Sequence, residues 1–499
     1  MDARTVGLDA LPWGQSYAEL PARLYQRAGP RPAPAPDWIR LNHAVARSLG
    51  LDPATLAGPE GLAILVGNRI PAPAEPLAQA YAGHQFGHFV PQLGDGRALL
   101  LGELTDRNGV RRDVQLKGSG PTPYARGGDG RAPIGPVIRE YLGSEALAAL
   151  GIPTTRALAA VTTGETVYRW QPEPGAVLAR VAASHLRIGT FEYAAARGDE
   201  AGVRALADYA LARHYPDRAG AERPYQALLE GVSAATADLV ADWMHAGFIH
   251  GVMNTDNLAI AGETIDYGPF GFMDAFDPAT VYSSIDTQGR YAYDQQPVIA
   301  EWNLARLAEA LLPLLGTTRE QALARAQEAL AGFRPRFEAR HRAGLRARIG
   351  LAEARDGDDA LANELLRHMA EQGADWTLTF RRLSDLPSDT AEADEPVRRL
   401  FQAPAAFDAW AAAWRERLAA EVRSDADRRT AMRAINPAYT LRNHLAQWAV
   451  DAATERLDLA PMEQLLQVLS EPYADHPGWE HLAQPPQPEA RVTRTFCGT

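Results

Sequence analysis

The sequence predicts an α+β fold in two lobes, a strand-rich one first and a helical one after it, followed by an α-helical C-terminal extension. Three observations predict it. Short apolar runs separated by turn residues cluster in residues 91–185. From about residue 199 onward, apolar positions recur at helical spacing through Ala-, Leu- and Arg-rich stretches. The chain of 499 residues is 46% apolar and 22% charged, a balance that supports two to four compact units at roughly 100 to 200 residues each.

Residues 1–90 mix short helical pieces with Pro-rich joints, GPRPAPAPDW and IPAPAEPL, and read as a wrapping segment because Pro removes a donor and enforces extended backbone. In 91–185, ALLLGEL (98–104) and RRDVQLKG (111–118) flank TDRNG, whose Asn-Gly marks a hairpin of paired antiparallel strands. IGPVIREYLGSEALAAL (134–150) carries apolar residues at helical spacing, with Gly151 placed to end it. ETVYRW (165–170) and AVLARVA (176–182) are two further strands. Residues 186–350 form the helical lobe, and 351–471 a helical extension in which Trp410, Trp414 and Trp448 read as core. The acidic stretch 384–396 reads as a solvated connection, and 472–499 as a flexible tail carrying Cys497.

Composition excludes several function classes. A net charge of −12 argues against a general nucleic-acid binder, which needs concentrated Lys and Arg. No run of 18 apolar residues and no basic-then-apolar leader appear, so neither a membrane span nor a secretory signal is expected and the predicted compartment is the cytoplasm. One cysteine permits neither an intramolecular disulfide nor a cysteine-based zinc site. Among 50 cationic residues, Lys117 is the single lysine. An ammonium is a compact point charge where a guanidinium is a broad fork, so a tight phosphate slot is a reason to keep one lysine in an arginine-rich chain; a chance survivor on the surface is the alternative.

Strands with a lysine near the end of one, a helix bearing a carboxylate, more strands, then a helical half with an acid-and-amide loop: this order describes a kinase-like nucleotide site. Lys117 would neutralise triphosphate oxygens, and Glu140 would pair with it, Glu145 ranking second. HGVMNTDN (250–257) follows the HGDxxxxN frame of aminoglycoside and choline kinase phosphotransferases at His250, Gly251 and Asn257, but Val252 replaces the base. Asn257 and Asp266 offer oxygen ligands to Mg²⁺. Asp256 supplies a carboxylate from a shifted position, or else caps loop amides. Arg97, Arg180 and Arg187 surround the same cleft and suit a polyphosphate that leaves as pyrophosphate. Gly94, Gly96 and the GGDGR turn containing Gly130 offer backbone amides to an anion, each alone being more simply a turn. His84 and His88 have zincin spacing, but Gln85 cannot act as the base, so a structural role is read there.

The strings YAGHQFGHFVPQLGDGRALLLGE, QLKGSGPTPYARGGDGRAPIGPVIREYLGSEAL, GIPTTRALA, HGVMNTDN and NPAYTLRNHL closely resemble the selenoprotein O family across nearly the whole chain. The resemblance implies a protein-kinase-like fold that binds ATP in a flipped orientation and transfers AMP to Ser, Thr or Tyr hydroxyls of proteins, with uridylylation from UTP and Mn²⁺ as a further activity. It implies nucleotide contacts from Gly94, Gly96, Arg97, Lys117, Asp129, Gly130, Arg180, Arg187 and Asp266, metal ligation by Asn257 and Asp266, and proton acceptance by Asp256. Cys497 takes the position of the family's selenocysteine, which implies a redox role, an inert thiol being the alternative. The rivals are a γ-phosphoryl-transferring kinase and a catalytically silent nucleotide-binding scaffold. Asp266→Ala is expected to abolish metal-dependent activity with the fold intact.

Overall fold

A computed structural model describes Leu8 and residues 11–496. Its centre is an antiparallel sheet built from β1 (Tyr25–Arg27), β2 (Asp37–Leu41), β3 (Leu77–Gln79), β6 (Ala98–Thr105), β7 (Arg111–Lys117), β8 (Ala132–Pro133), β9 (Arg156–Tyr168) and β10 (Pro172–Ala182), while β4 (Gly83–Gln85) and β5 (His88–Val90) form a separate hairpin. The path runs β1-β3-β6-β7-β10-β9-β2, with β8 paired to β10. Residues before 91 therefore supply both outer strands of this path.

The β6–β7 hairpin forms at the Asn-Gly turn: Asp106 accepts from Asn108 N and Val110 N, both 2.9 Å, and Gly109 takes φ +78°, a conformation open to glycine. The next hairpin is longer than its apolar pattern predicts, its first strand starting at Arg156 rather than 165. Ala157 to Val161 are all buried; with both faces covered the strand shows no alternation to read.

Alternation does act on β7 and β10. Val114, Leu116, Val177, Ala179 and Val181 pack with Ile64, Leu65 and Val66 on one face of the sheet. Residues of opposite parity, including Leu178 and Ala176, face the helix Ile134–Ala149, where they join Ile138 and Leu142. Gln115, Lys117 and Arg180 share that parity, and Gln115 is the direct register partner of Arg180.

The helical half centres on Pro224–Ala246, which packs against Gln296–Leu315 and Phe333–Arg348. Gly247 ends it in the left-handed conformation. Two short strands, β11 (Phe248–Ile249) and β12 (Gly271–Phe272), pair and bracket the loops carrying Asp256 and Asp266. Trp376, Phe407, Trp410 and Trp414, from the segment after 350, share one core cluster with Met244, Ile249, Phe276 and Leu345 of the helical half; Trp448, expected as core, is 39% exposed. The acidic stretch is not wholly solvated, since Asp394 is buried and gripped by both terminal nitrogens of Arg415, at 2.9 and 2.5 Å.

The segment from 472, expected as a flexible tail, is tied down as far as Thr495. Tyr473 donates to Leu150 O at 3.2 Å, Arg442 to Ala483 O at 2.8 Å, and Thr495 N to Tyr282 O at 2.7 Å. Cys497 lies outside the described residues. Among the described residues no helix is long and apolar enough to cross a membrane.

Candidate active site

A cavity of about 610 Å³ is lined by the sheet, the helix Ile134–Ala149 and the loops of the helical half. Gly94, Gly96, Arg97, Lys117, Asp129, Gly130, Glu140, Arg180, Arg187, Asp256, Asn257 and Asp266 all line it, so the structure brings together every residue the sequence singled out for nucleotide, metal or proton.

Strand parity aims Lys117 and Arg180 at Glu140. Lys117 Nζ lies 2.6 Å from Glu140 Oε2 and 3.3 Å from Asp266 Oδ1. Arg180 donates from Nη1 to Glu140 Oε1 at 3.0 Å and to Asp266 Oδ1 at 2.6 Å, and from Nη2 to Gln115 Oε1 at 2.6 Å. Arg187 donates to Asp266 Oδ2 at 2.6 Å and stacks on the Tyr81 ring, 4.5 Å from its centroid. Three cations thus converge on one carboxylate. Burial alone pushes the Asp266 carboxyl up, but Arg187, Arg180 and Lys117 outweigh it and hold the group well below the usual carboxylate range. Asp266 also takes φ +61°, sparsely populated for a residue with a side chain. Glu145 is no alternative partner for the lysine, because both its oxygens are taken by Arg156 at 2.9 and 2.7 Å.

The loop bearing Asp256 and Asn257 is fixed from several sides. Arg187 donates to Asp256 O at 2.7 Å and Asn303 to Met253 O at 2.8 Å. Burial keeps His250 neutral, so its Nε2–H donates to Ile265 O at 2.9 Å and ties this loop to Asp266. Asp256 Oδ2 accepts from Gln85 at 3.2 Å, whereas Oδ1 is buried without a hydrogen bond. Burial raises this carboxyl to about 6, against the opposing pull of Arg187 and Gln85.

Glycine is required at two cavity positions. A Cβ on Gly130 would lie 2.1 Å from the backbone of Gly120 and Pro121, and one on Gly94 would lie 2.5 Å from the Tyr124 ring. Asp129 is held by Arg169, at 2.9 Å to each carboxylate oxygen, and accepts from Arg131 N at 2.9 Å. That places Asp129 as the brace of its turn.

Among the described residues no group of three or more His, Cys, Asp or Glu converges on a metal-sized position. Asn257 donates its amide to Val252 O at 2.9 Å, so its Oδ1 remains as an oxygen of the kind a hard divalent cation takes, while both oxygens of Asp266 are held by Lys117, Arg180 and Arg187. Two protein ligands leave most of such an ion's coordination to phosphate and water. His84 pairs with Glu192, and His88 is exposed.

Sequence reasoning missed Tyr81, Asp95 and Gln115, and gave Gln85 no part in the site. Asp95 is buried in the cavity wall, where desolvation lifts it to about 6, and it accepts from Gln79 N at 3.0 Å. Alternation counted back from Lys117 would have found Gln115.

A cleft in which one ammonium and several guanidiniums face carboxylates and glycine turns is suited to a polyanion such as a triphosphate. Residues 9–470 match the family model described as protein adenylyltransferase SelO. The chain is 61% identical over 488 residues to a protein nucleotidyltransferase YdiU of Alkalilimnicola ehrlichii, covering 98% of this chain and 99% of that one. Relatives bearing the same name from a Bradyrhizobium species and from Methylorubrum extorquens are 59% and 60% identical, each with 98% of this chain and 99% of the relative covered. The chain belongs to the SelO family.

Proposed function

We propose that this protein transfers AMP from ATP to hydroxyl groups of proteins, those of Ser, Thr or Tyr, in a cleft arranged as in protein kinases, with UTP as a second donor. The observation that carries the reading is the convergence of Lys117, Arg180 and Arg187 on Asp266, with the Asp256 carboxylate in the wall of the same cavity.

The acceptor oxygen attacks the α-phosphorus in line, the bond from that phosphorus to the bridging oxygen breaks, and pyrophosphate leaves with the electron pair. The Asp256 carboxylate receives the hydroxyl proton. A carboxyl that titrates at about 6 is ionised at pH 7 yet more basic than an ordinary one, a useful compromise for a general base. Lys117, Arg180, Arg187 and Arg97 hold the departing phosphates, with amides of the Gly94–Gly96 and Gly130 turns. Asn257 and Asp266 would hold a divalent ion, Mg²⁺ or Mn²⁺, which when bound supplies charge neutralisation on the phosphates. Val252 stands where a γ-phosphoryl transferase keeps its base, which favours attack at the α-position from the shifted carboxylate.

The test is incubation of the chain with lysate and ATP labelled at the α- or at the γ-phosphate. Label from the α-position, with a nucleotide mass on the acceptor, is expected. Label from the γ-position alone means a kinase, and none from either means a silent scaffold. Asp256→Asn is expected to lower the transfer rate by about 10² to 10⁴ with ATP binding retained; a wild-type rate would remove Asp256 as the base.

A further inference from the structure

The β4–β5 hairpin reaches the loop of the proposed base across some 170 residues of sequence and bonds three of its successive residues. His84 N donates to Thr255 Oγ1 at 2.7 Å, Gln85 Nε2 to Asp256 Oδ2 at 3.2 Å, and Phe86 N to Asn254 Oδ1 at 3.1 Å. Two of these bonds run from backbone to side chain and hold the loop in place. The Gln85 bond is different, because it acts on the carboxylate itself. The Gln85 amide presents its NH₂ group to Oδ2, which accepts. Gly83, at the start of the same hairpin, backs the other oxygen: a Cβ there would lie 2.4 Å from Asp256 Oδ1. Both Gln85 and Phe86 line the cavity.

We propose that Gln85 is a positioning residue for Asp256: by donating to Oδ2, while Gly83 lies against Oδ1, it fixes the rotamer of the carboxylate in the cavity wall. The inference rests on the reading of Asp256 as the base. It assigns the HQFGH string a place in the reaction rather than in metal binding. Gly83 supports the same geometry, since any side chain there would push Asp256 out of position.

The experiment measures three quantities on the full chain: single-turnover AMP incorporation from α-labelled ATP, ATP affinity by calorimetry, and melting temperature. The variants are Gln85→Met, Gln85→Asn, Asp256→Asn and the Gln85→Met/Asp256→Asn pair. One hydrogen bond to a charged group corresponds to about a tenfold to hundredfold slower transfer in Gln85→Met. ATP affinity should stay within about twofold, which is about 0.4 kcal/mol where a tenfold change is about 1.4. Gln85→Asn, too short to reach, should behave alike. The double variant should be no slower than Asp256→Asn, because a positioning bond has nothing left to position. Wild-type transfer in either Gln85 variant overturns the inference, as does a further slowing on the Asp256→Asn background, or an equal fall in ATP affinity and stability that marks a mere staple. If Asp256→Asn itself transfers at the wild-type rate, it is the base reading that fails.

Discussion

Replacing Asp266 by alanine is expected to abolish metal-dependent transfer and to lower the melting temperature as well. The sequence alone suggested that the fold would stay intact. In the structure the same carboxylate accepts from Lys117, Arg180 and Arg187, and the two arginine side chains are each 2% exposed. Removing one member of such a set leaves buried cations facing one another, a change that costs about 3 kcal/mol or more when the partner is fully enclosed and less beside an open cavity. Asp266→Asn, which keeps the shape but not the charge, should lose transfer equally and stability to a similar extent. Added pyrophosphate should raise the melting temperature of either variant more than that of the wild type, since the polyanion supplies the missing negative charge. An alanine variant that melts with the wild type and still responds to metal would remove Asp266 from the site.

Lys117→Arg should be nearly as damaging although it conserves charge. The ammonium sits between Glu140 at 2.6 Å and Asp266 at 3.3 Å, and both carboxylates also bind Arg180 Nη1. A second guanidinium would have to enter this space beside the first, and its planar fork has no free carboxylate to meet. A loss of about 10² to 10³ in turnover is expected, the range for deleting one preorganised charge contact in a transition state. Lys117→Met should fall at least as far. If the arginine variant turned over like the wild type, position 117 would need positive charge only, and the reason for a lone lysine would vanish.

Much of this site was legible in the sequence because its residues sit on regular elements. Lys117 stood out as the one lysine, Glu140 followed from the helix after it, and Arg180 shares strand parity with its register partner Gln115. Asn257 and Asp266 were placed by a local frame of amide and acid. What was hidden depends on distant segments meeting. Gln85 touches Asp256 and Tyr81 lies under Arg187 only because the β4–β5 hairpin folds onto the helical half, and no periodicity encodes that approach. The early start of β9 was hidden for another reason, since a strand covered on both faces by Ala, Leu and Val has no alternation. Trp448 looked like core and is partly exposed, because hydrophobicity alone does not tell which face of an amphipathic helix meets a neighbour.

The triple grip on Asp266 also bears on how the site is loaded. A bare divalent cation approaching that carboxylate competes with three positive groups already seated on it, and gains only Asn257 besides. A cation that arrives bonded to a triphosphate brings oxygens to which the lysine and arginines can transfer, so every charge changes partner and none is stranded. Mn²⁺ affinity measured by paramagnetic resonance should therefore be weak for the protein by itself and rise with an unreactive ATP analogue. By linkage, the ion should tighten the analogue by the same factor.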